Sequence, residues 1–188
     1  MNIFFLARDP EAAAEYHIDR HVTKMMVEYA QILSTVWHIH WPSNAANHAA
    51  HGYVYRPTHR NHPSVKWAAD NPNNYAWLVR LWQSLHEEYQ FRYGGQKFHM
   101  SYLKCHSTLK YIPHPECRPA RPGGLATFAP TFCDQSKITM ASNFQAVGDF
   151  KRDDPVDAYR LYYRSTKTLD ASGKPMAIWT KRGKPEWF

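Results

Sequence analysis

Between Asp19 and Trp41 the residues Val22, Met25, Met26, Tyr29, Ile32, Leu33 and Val36 recur at three- and four-residue intervals, the spacing of one buried helix face. Upstream, Asp9 offers an N-cap and Pro10 a first helical position, so helical periodicity runs from Pro10 to Trp41, with room for a break between His17 and Asp19. Pro42 stops it. A second helix follows Pro72, with Leu78, Leu81, Trp82, Leu85 and Tyr89 on its core face, and ends at Gly94-Gly95. "KFHMSYLKCHSTLKY" predicts a third helix before Pro113. Asp154 and Pro155 open a last one over "DDPVDAYRLYYRSTKTL", and a short helix fits within 133–147. Residues 42–64 read as loop, and residues 113–131, with five prolines and Gly123-Gly124, as a long Pro/Gly-rich excursion. Met1 to Leu6 fits either a strand or an extended arm. The architecture is mainly α.

The polar positions of the first long helix are as ordered as the apolar ones. At 100° per residue, His17, His21, Lys24, Glu28 and Gln31 fall within an arc of about 80°, and Thr35 returns to its centre. A stripe of this kind ordinarily faces water. Here it is narrow, and Thr23, Val27, Ala30, Ser34 and Trp37 cover the side opposite the main core face. A helix packed on both flanks would point the stripe into a cleft. There, two imidazoles, an ammonium and one carboxylate can converge on a ligand, for acid/base chemistry or to hold phosphates.

Composition narrows the classes. The chain has 188 residues, 44% of them hydrophobic and 15% aromatic, enough for one domain with its own core. No run approaches the ~20 apolar residues of a membrane helix, and no basic segment precedes the apolar "NIFFLA" as in a secretory signal. A cytoplasmic protein is expected. Cys105, Cys117 and Cys133 lack a CxxC pair, which argues against a disulfide framework or zinc ribbon. Lys and Arg outnumber Asp and Glu by 23 to 16, a net charge of +7 that favours polyanions. Aromatics interleave with this charge in "YRLYYRSTK" and "WTKRGKPEWF", where bases could stack.

A second cluster, "YVYRPTHRNHPS", places Tyr55, Arg56, His59, Arg60, Asn61 and His62 on a loop that serves either as a binding element or as a turn organised by Asn61 and Pro63. His17 and His21 have a spacing that suits two zinc ligands, with Glu28, His59 or His62 to complete a site, but no HExxH accompanies them. No metal or other cofactor is expected. There is no glycine-rich phosphate loop or nucleophile elbow, and His86-Glu87-Glu88 reads as helix surface.

The order of these motifs resembles a group of small bacteriophage proteins and, more distantly, the pyrimidine-dimer DNA glycosylases of the endonuclease V type, which carry AP-lyase activity. In that family an N-terminal segment leads to a helix bearing a His and, two turns later, the catalytic Glu; His21 and Glu28 match that placement. A "YxNHP"-like turn is similar to Tyr55 through Pro63, and "LVRLWQSLHEEYQFRYG" is similar to the family's next helix. The resemblance covers roughly residues 1–95. It implies a single-domain, mainly α fold, with residues 96–188 as a C-terminal extension packed on a glycosylase-like core.

The resemblance further implies an enzyme acting on double-stranded DNA without a cofactor or an obligatory protein partner, in the host cytoplasm if phage-encoded. It would excise a damaged or modified pyrimidine. An N-terminal amine would attack the sugar C1′ to form an imine, and Glu28 would support base loss and elimination. An α-amine titrates near ~8, so part of it is neutral at working pH. The family exposes a small second residue by losing Met; Asn2 is bulky, so the amine falls to Met1, with Lys24 as the alternative nucleophile. The arginine that follows the family's Glu has no counterpart near Gln31. His21 joins the catalytic group, while His17, Gln31, Tyr55, Arg56, His59, Arg60, Asn61 and His62 form the expected substrate contacts. Two other functions fit the same residues: modification of hypermodified pyrimidines without an abasic product, and a non-catalytic DNA-binding accessory.

Overall fold

A computed structural model describes residues 1–117, 135–139, 150 and 152–188. They contain seven α-helices and no strand beyond an isolated bridge between Leu169 and Pro175. The helices are α1 (Pro10–Glu15), α2 (Asp19–His40), α3 (Pro42–Ala50), α4 (Pro63–Asp70), α5 (Pro72–Tyr93), α6 (Met100–Leu109) and α7 (Pro155–Thr166). None is long and apolar enough to cross a membrane.

The cap residues set the boundaries. Asp9 accepts a hydrogen bond from the Ala12 N–H, Asn71 from those of Asn73 and Asn74, and Asp154 from that of Val156, each with proline at the start of the helix that follows. Gly94 closes α5 at φ 100°, a left-handed conformation that costs glycine little. The break allowed between His17 and Asp19 is present, and one expectation changes. Ile18 is extended (ψ 156°) and α2 begins at Asp19, so His17 lies in the α1–α2 joint. Pro42 ends one helix by starting another, because it is tolerated at N1 and the alanines behind it propagate α3 where a loop was expected. Of the expected helix over 133–147, residues 135–139 are described and hold a 3₁₀ turn at Gln135–Lys137; its other residues, Cys133 included, and most of the Pro/Gly-rich stretch lie outside the described residues.

α2 and α5, both 22 residues long, form the centre, flanked by α1, α3, α4 and α6. Buried indoles are tied by their N–H groups: Trp77 to the Arg8 carbonyl (2.7 Å), Trp82 to the Met26 carbonyl (3.0 Å) and Trp37 to the Tyr75 hydroxyl (2.9 Å). Into this centre runs the N-terminal segment. It has no regular structure, yet Ile3, Phe4, Phe5 and Leu6 are buried, with Phe5 stacked on Trp77 (centroids 4.1 Å apart) and Phe4 on His21 (4.5 Å). An extended arm, one of the two forms expected, is the one observed.

The α1–α2 joint is held by Arg92, whose side chain is wholly buried. Its guanidinium donates to Glu88 (2.6 Å), Asp19 (2.9 Å) and the carbonyls of His17 (2.8 Å) and Glu15 (2.9 Å). Arg182 adds a second pair to Glu88 at 2.8 Å. His86 and Glu88 are therefore buried, not helix surface: Glu88 is the acceptor for two guanidiniums, and the His86 ring stacks on Tyr102 (3.9 Å). The aromatics of "YRLYYRSTK" are also mostly interior. Tyr159 and Tyr163 are buried, and Trp187 is covered by the Arg160 guanidinium at 5.1 Å, so these rings serve the core rather than offering stacking platforms.

Candidate active site

Glu28 stands on the α2 face that the buried N-terminal segment crosses. The segment brings the Met1 amine to 3.9 Å from Glu28 Oε2, and the Asn2 N–H donates to the same oxygen at 3.2 Å. Lys24, one turn earlier, reaches the other oxygen at 3.2 Å. The Glu28 side chain is 16% exposed and that of Met1 4%, while Lys24 is 63% exposed, so the carboxylate and the Met1 side chain are enclosed and the Lys24 ammonium is not. An amine held beside an enclosed carboxylate is an arrangement that supports nucleophilic and proton-transfer chemistry.

The segment keeps this position through two histidines of the polar stripe. His17 Nδ1 donates to the Ala13 carbonyl (2.7 Å), which fixes the tautomer, so Nε2 accepts from the Tyr29 hydroxyl (2.9 Å). Tyr29 in turn accepts from the Phe4 N–H (3.3 Å). His21, beneath the Phe4 ring, meets the Tyr163 hydroxyl through Nδ1 (2.8 Å), and that hydroxyl also accepts from the Ile18 N–H (3.0 Å). Burial pushes the His17 pKa down to about 4, opposed by its bond to Ala13 and aided by Arg92. Burial, then the nearby His17, Lys167, Lys24 and Arg20 charges, push that of His21 down to about 2. Both rings are neutral scaffolding at ordinary pH.

His17 therefore does not face substrate space, and both of its nitrogens are occupied. That removes it as a metal ligand, and the His17–His21 zinc pairing with it; among the described residues no three His, Cys, Asp or Glu side chains gather as a metal site would require. Gln31 continues the stripe, half-buried, one turn beyond Glu28.

The loop from Tyr55 docks on the end of the same stripe. The Tyr55 N–H donates to Ser34 Oγ (3.0 Å), the Thr58 N–H to Thr35 Oγ1 (3.2 Å) and Arg60 to the His38 carbonyl (2.8 Å). His62 caps α4, its Nδ1 accepting from the Ser64 N–H (3.2 Å). Burial first, then the positive amino terminus and His59, lower the His62 pKa, with Glu28 opposing them, so His62 lies near both the amino terminus and Glu28. Arg56, His59, Arg60 and Asn61 are exposed along the loop, His59 at φ 49°. Tyr55 diverges from the set: its hydroxyl donates to Ser101 Oγ (3.1 Å) and its ring lies under Lys104.

The family model for pyrimidine dimer DNA glycosylase matches residues 1–101. The chain belongs to that family. The match spans the N-terminal segment, the Glu28 helix, the Tyr55–His62 loop and α5, which are the elements that build the site. No curated protein and no solved structure matches the chain. Membership in the pyrimidine dimer DNA glycosylase family makes DNA the substrate class. Sequence reasoning missed the two groups that set the geometry from a distance, Tyr163 and Arg92. Each is one residue of a helix pattern, and only its long-range bonds distinguish it.

Proposed function

We propose that the protein is a DNA glycosylase with AP-lyase activity that excises a damaged or modified pyrimidine, the Met1 amine acting as nucleophile and Glu28 as the catalytic carboxylate. The observation that carries this is the Met1 amine 3.9 Å from the largely enclosed Glu28 carboxylate. The neutral amine adds to the sugar C1′. The C1′–N bond breaks and the base departs with its electron pair, taking up a proton. Opening of the C1′–O4′ bond gives a protonated imine. Glu28 then removes a C2′ proton, the 3′ C–O bond breaks with phosphate as leaving group, and water hydrolyses the imine to restore the amine. Access to C1′ requires the nucleotide to leave the duplex stack. His21 holds the arm that carries the amine, and His59, Asn61 and His62 line the entry from the loop.

Lys24 is the competing nucleophile, because its ammonium also pairs with Glu28. Loss of Met1 would turn the Asn2 nitrogen, an amide while Met1 is present, into a third candidate amine, and it lies nearer to Glu28 than the Met1 nitrogen does. Borohydride trapping on duplexes bearing pyrimidine dimers, oxidised pyrimidines or abasic sites, followed by peptide mapping of the adduct, separates the three. Trapping on the Met1 peptide, kept in Lys24→Met, is expected. Glu28→Gln is expected to lower the single-turnover rate ~10²–10⁴-fold. No adduct and no strand cleavage with any of these lesions refutes the proposal.

A further inference from the structure

A cavity of about 270 Å³ opens beside the start of α2. Arg20, His21 and Lys24 line one wall; Lys167, Asp170 and Met176, from the segment after α7, line the other. The first wall lies within the family match and the second lies beyond it. Lys24 belongs both to this cavity and to the Glu28 pair, so the cavity is continuous with the proposed catalytic face.

Three of its side chains are cations, and all three act electrostatically on His21, which places them around one point. Asp170 offsets only part of this charge. Its Oδ1 already accepts from the Ser172 N–H (2.8 Å), the Ser172 hydroxyl (2.6 Å) and the Lys174 N–H (3.0 Å), so it organises its own turn. His21 adds a neutral donor. The buried Tyr163 oxygen accepts from Ile18, and its own proton has one acceptor within reach, His21 Nδ1. The proton of His21 therefore resides on Nε2, for which the described residues show no hydrogen-bond partner. A cleft whose three cations outweigh its one carboxylate, with a neutral N–H at its base, concentrates anions.

We propose that this cavity, half of it built by the C-terminal segment, binds one backbone phosphate of the DNA strand close to the excised nucleotide. The inference rests on the DNA-cleaving function proposed above and adds a second point of strand contact. His21 and Glu28 are seven residues apart, about 10 Å along α2, equal to about three base steps at ~3.4 Å. The phosphate therefore lies within about three nucleotides of the lesion.

The test measures equilibrium binding of a duplex carrying a non-cleavable abasic analogue, as a function of salt and with neutral methylphosphonates placed singly along each strand. Wild type is compared with Lys167→Gln and with the Arg20→Gln/Lys167→Gln double variant. The double variant is expected to bind more weakly and to lower the log K against log[salt] slope by about one unit, one phosphate's worth. One methylphosphonate within about three nucleotides of the analogue should cost wild type about tenfold and the double variant little. An unchanged slope, or a methylphosphonate penalty equal in both proteins, overturns the inference. So does calorimetric binding of free inorganic phosphate that depends on Lys167, if the methylphosphonate scan is flat. Because binding is read without chemistry, loss of the cleavage proposal leaves this measurement standing: a protein that cuts DNA but shows no slope change refutes only the phosphate site. Failure to bind duplex at low salt refutes both.

Discussion

Acid should unfold this protein through the residues that hold its N-terminal arm. His17 and His21 are buried and neutral, with pKa values lowered to about 4 and about 2 from the ordinary 6.5. In the unfolded chain both take up protons near pH 6.5; in the folded chain they do not. The unfolded state then binds more protons below that pH, so stability present at pH 7 declines as pH falls through 6.5 and continues to decline until the folded values are reached. Each group contributes at most ~1.4 kcal/mol per pH unit, so a shift from pH 7 to pH 5 removes about 4 kcal/mol from the pair. That is a large part of the ~5–15 kcal/mol typical of a domain. His86, buried and lowered to about 4 by burial and by the nearby His99 and His106, acts in the same direction. Urea denaturation at pH 7 and pH 5, with equal m-values, checks the magnitude. A midpoint unchanged between the two, or a stability difference under ~1 kcal/mol, would show that these imidazoles are not buried neutral and that the arm is held otherwise. Imine trapping over the same range should fall with the folded fraction.

Two substitutions probe the supports directly. Arg92→Met leaves Glu88 partly unpaired and strands two carbonyls of the α1–α2 joint, and should cost about 3–5 kcal/mol in urea denaturation. Tyr163→Phe removes one hydroxyl from the Ile18 N–H and from His21 and should cost about 1–3 kcal/mol. It should also lower imine trapping under conditions where the protein remains folded, because His21 underlies Phe4 and the arm. Trapping that stays at the wild-type level would separate Tyr163 from the site.

Where a boundary depends on neighbouring residues, the sequence made it legible. Asn71-Pro72 and Gly94 bracket α5, and Asp154-Pro155 opens α7, because caps and φ preferences act within a few residues. The stripe holds Glu28 among five polar residues; the family resemblance, through its spacing from His21, singles it out, and the structure adds the amine beside it. His17 belongs to the stripe only if the helix continues through Ile18, whose extended backbone breaks the phase at the break allowed there. Glu88 was misread for a different reason. Beside the i,i+4 partner Arg92, its second partner Arg182 is 94 residues away, and no local pattern marks a carboxylate that will be covered by a distant guanidinium.

The joint between α1 and α2 has a consequence for synthesis. The amine and Glu28 lie in the first part of the chain to leave the ribosome, but the groups that fix the joint come late. Tyr163 holds the Ile18 N–H, the Ile178 carbonyl accepts from the Asp19 N–H, and the Trp179 indole donates to the Tyr16 carbonyl. A nascent chain therefore carries the Met1 amine and Glu28 before the residues that frame them exist. On the proposed mechanism, a chain interrupted before residues 163–179 would hold both groups without the joint that sets them together.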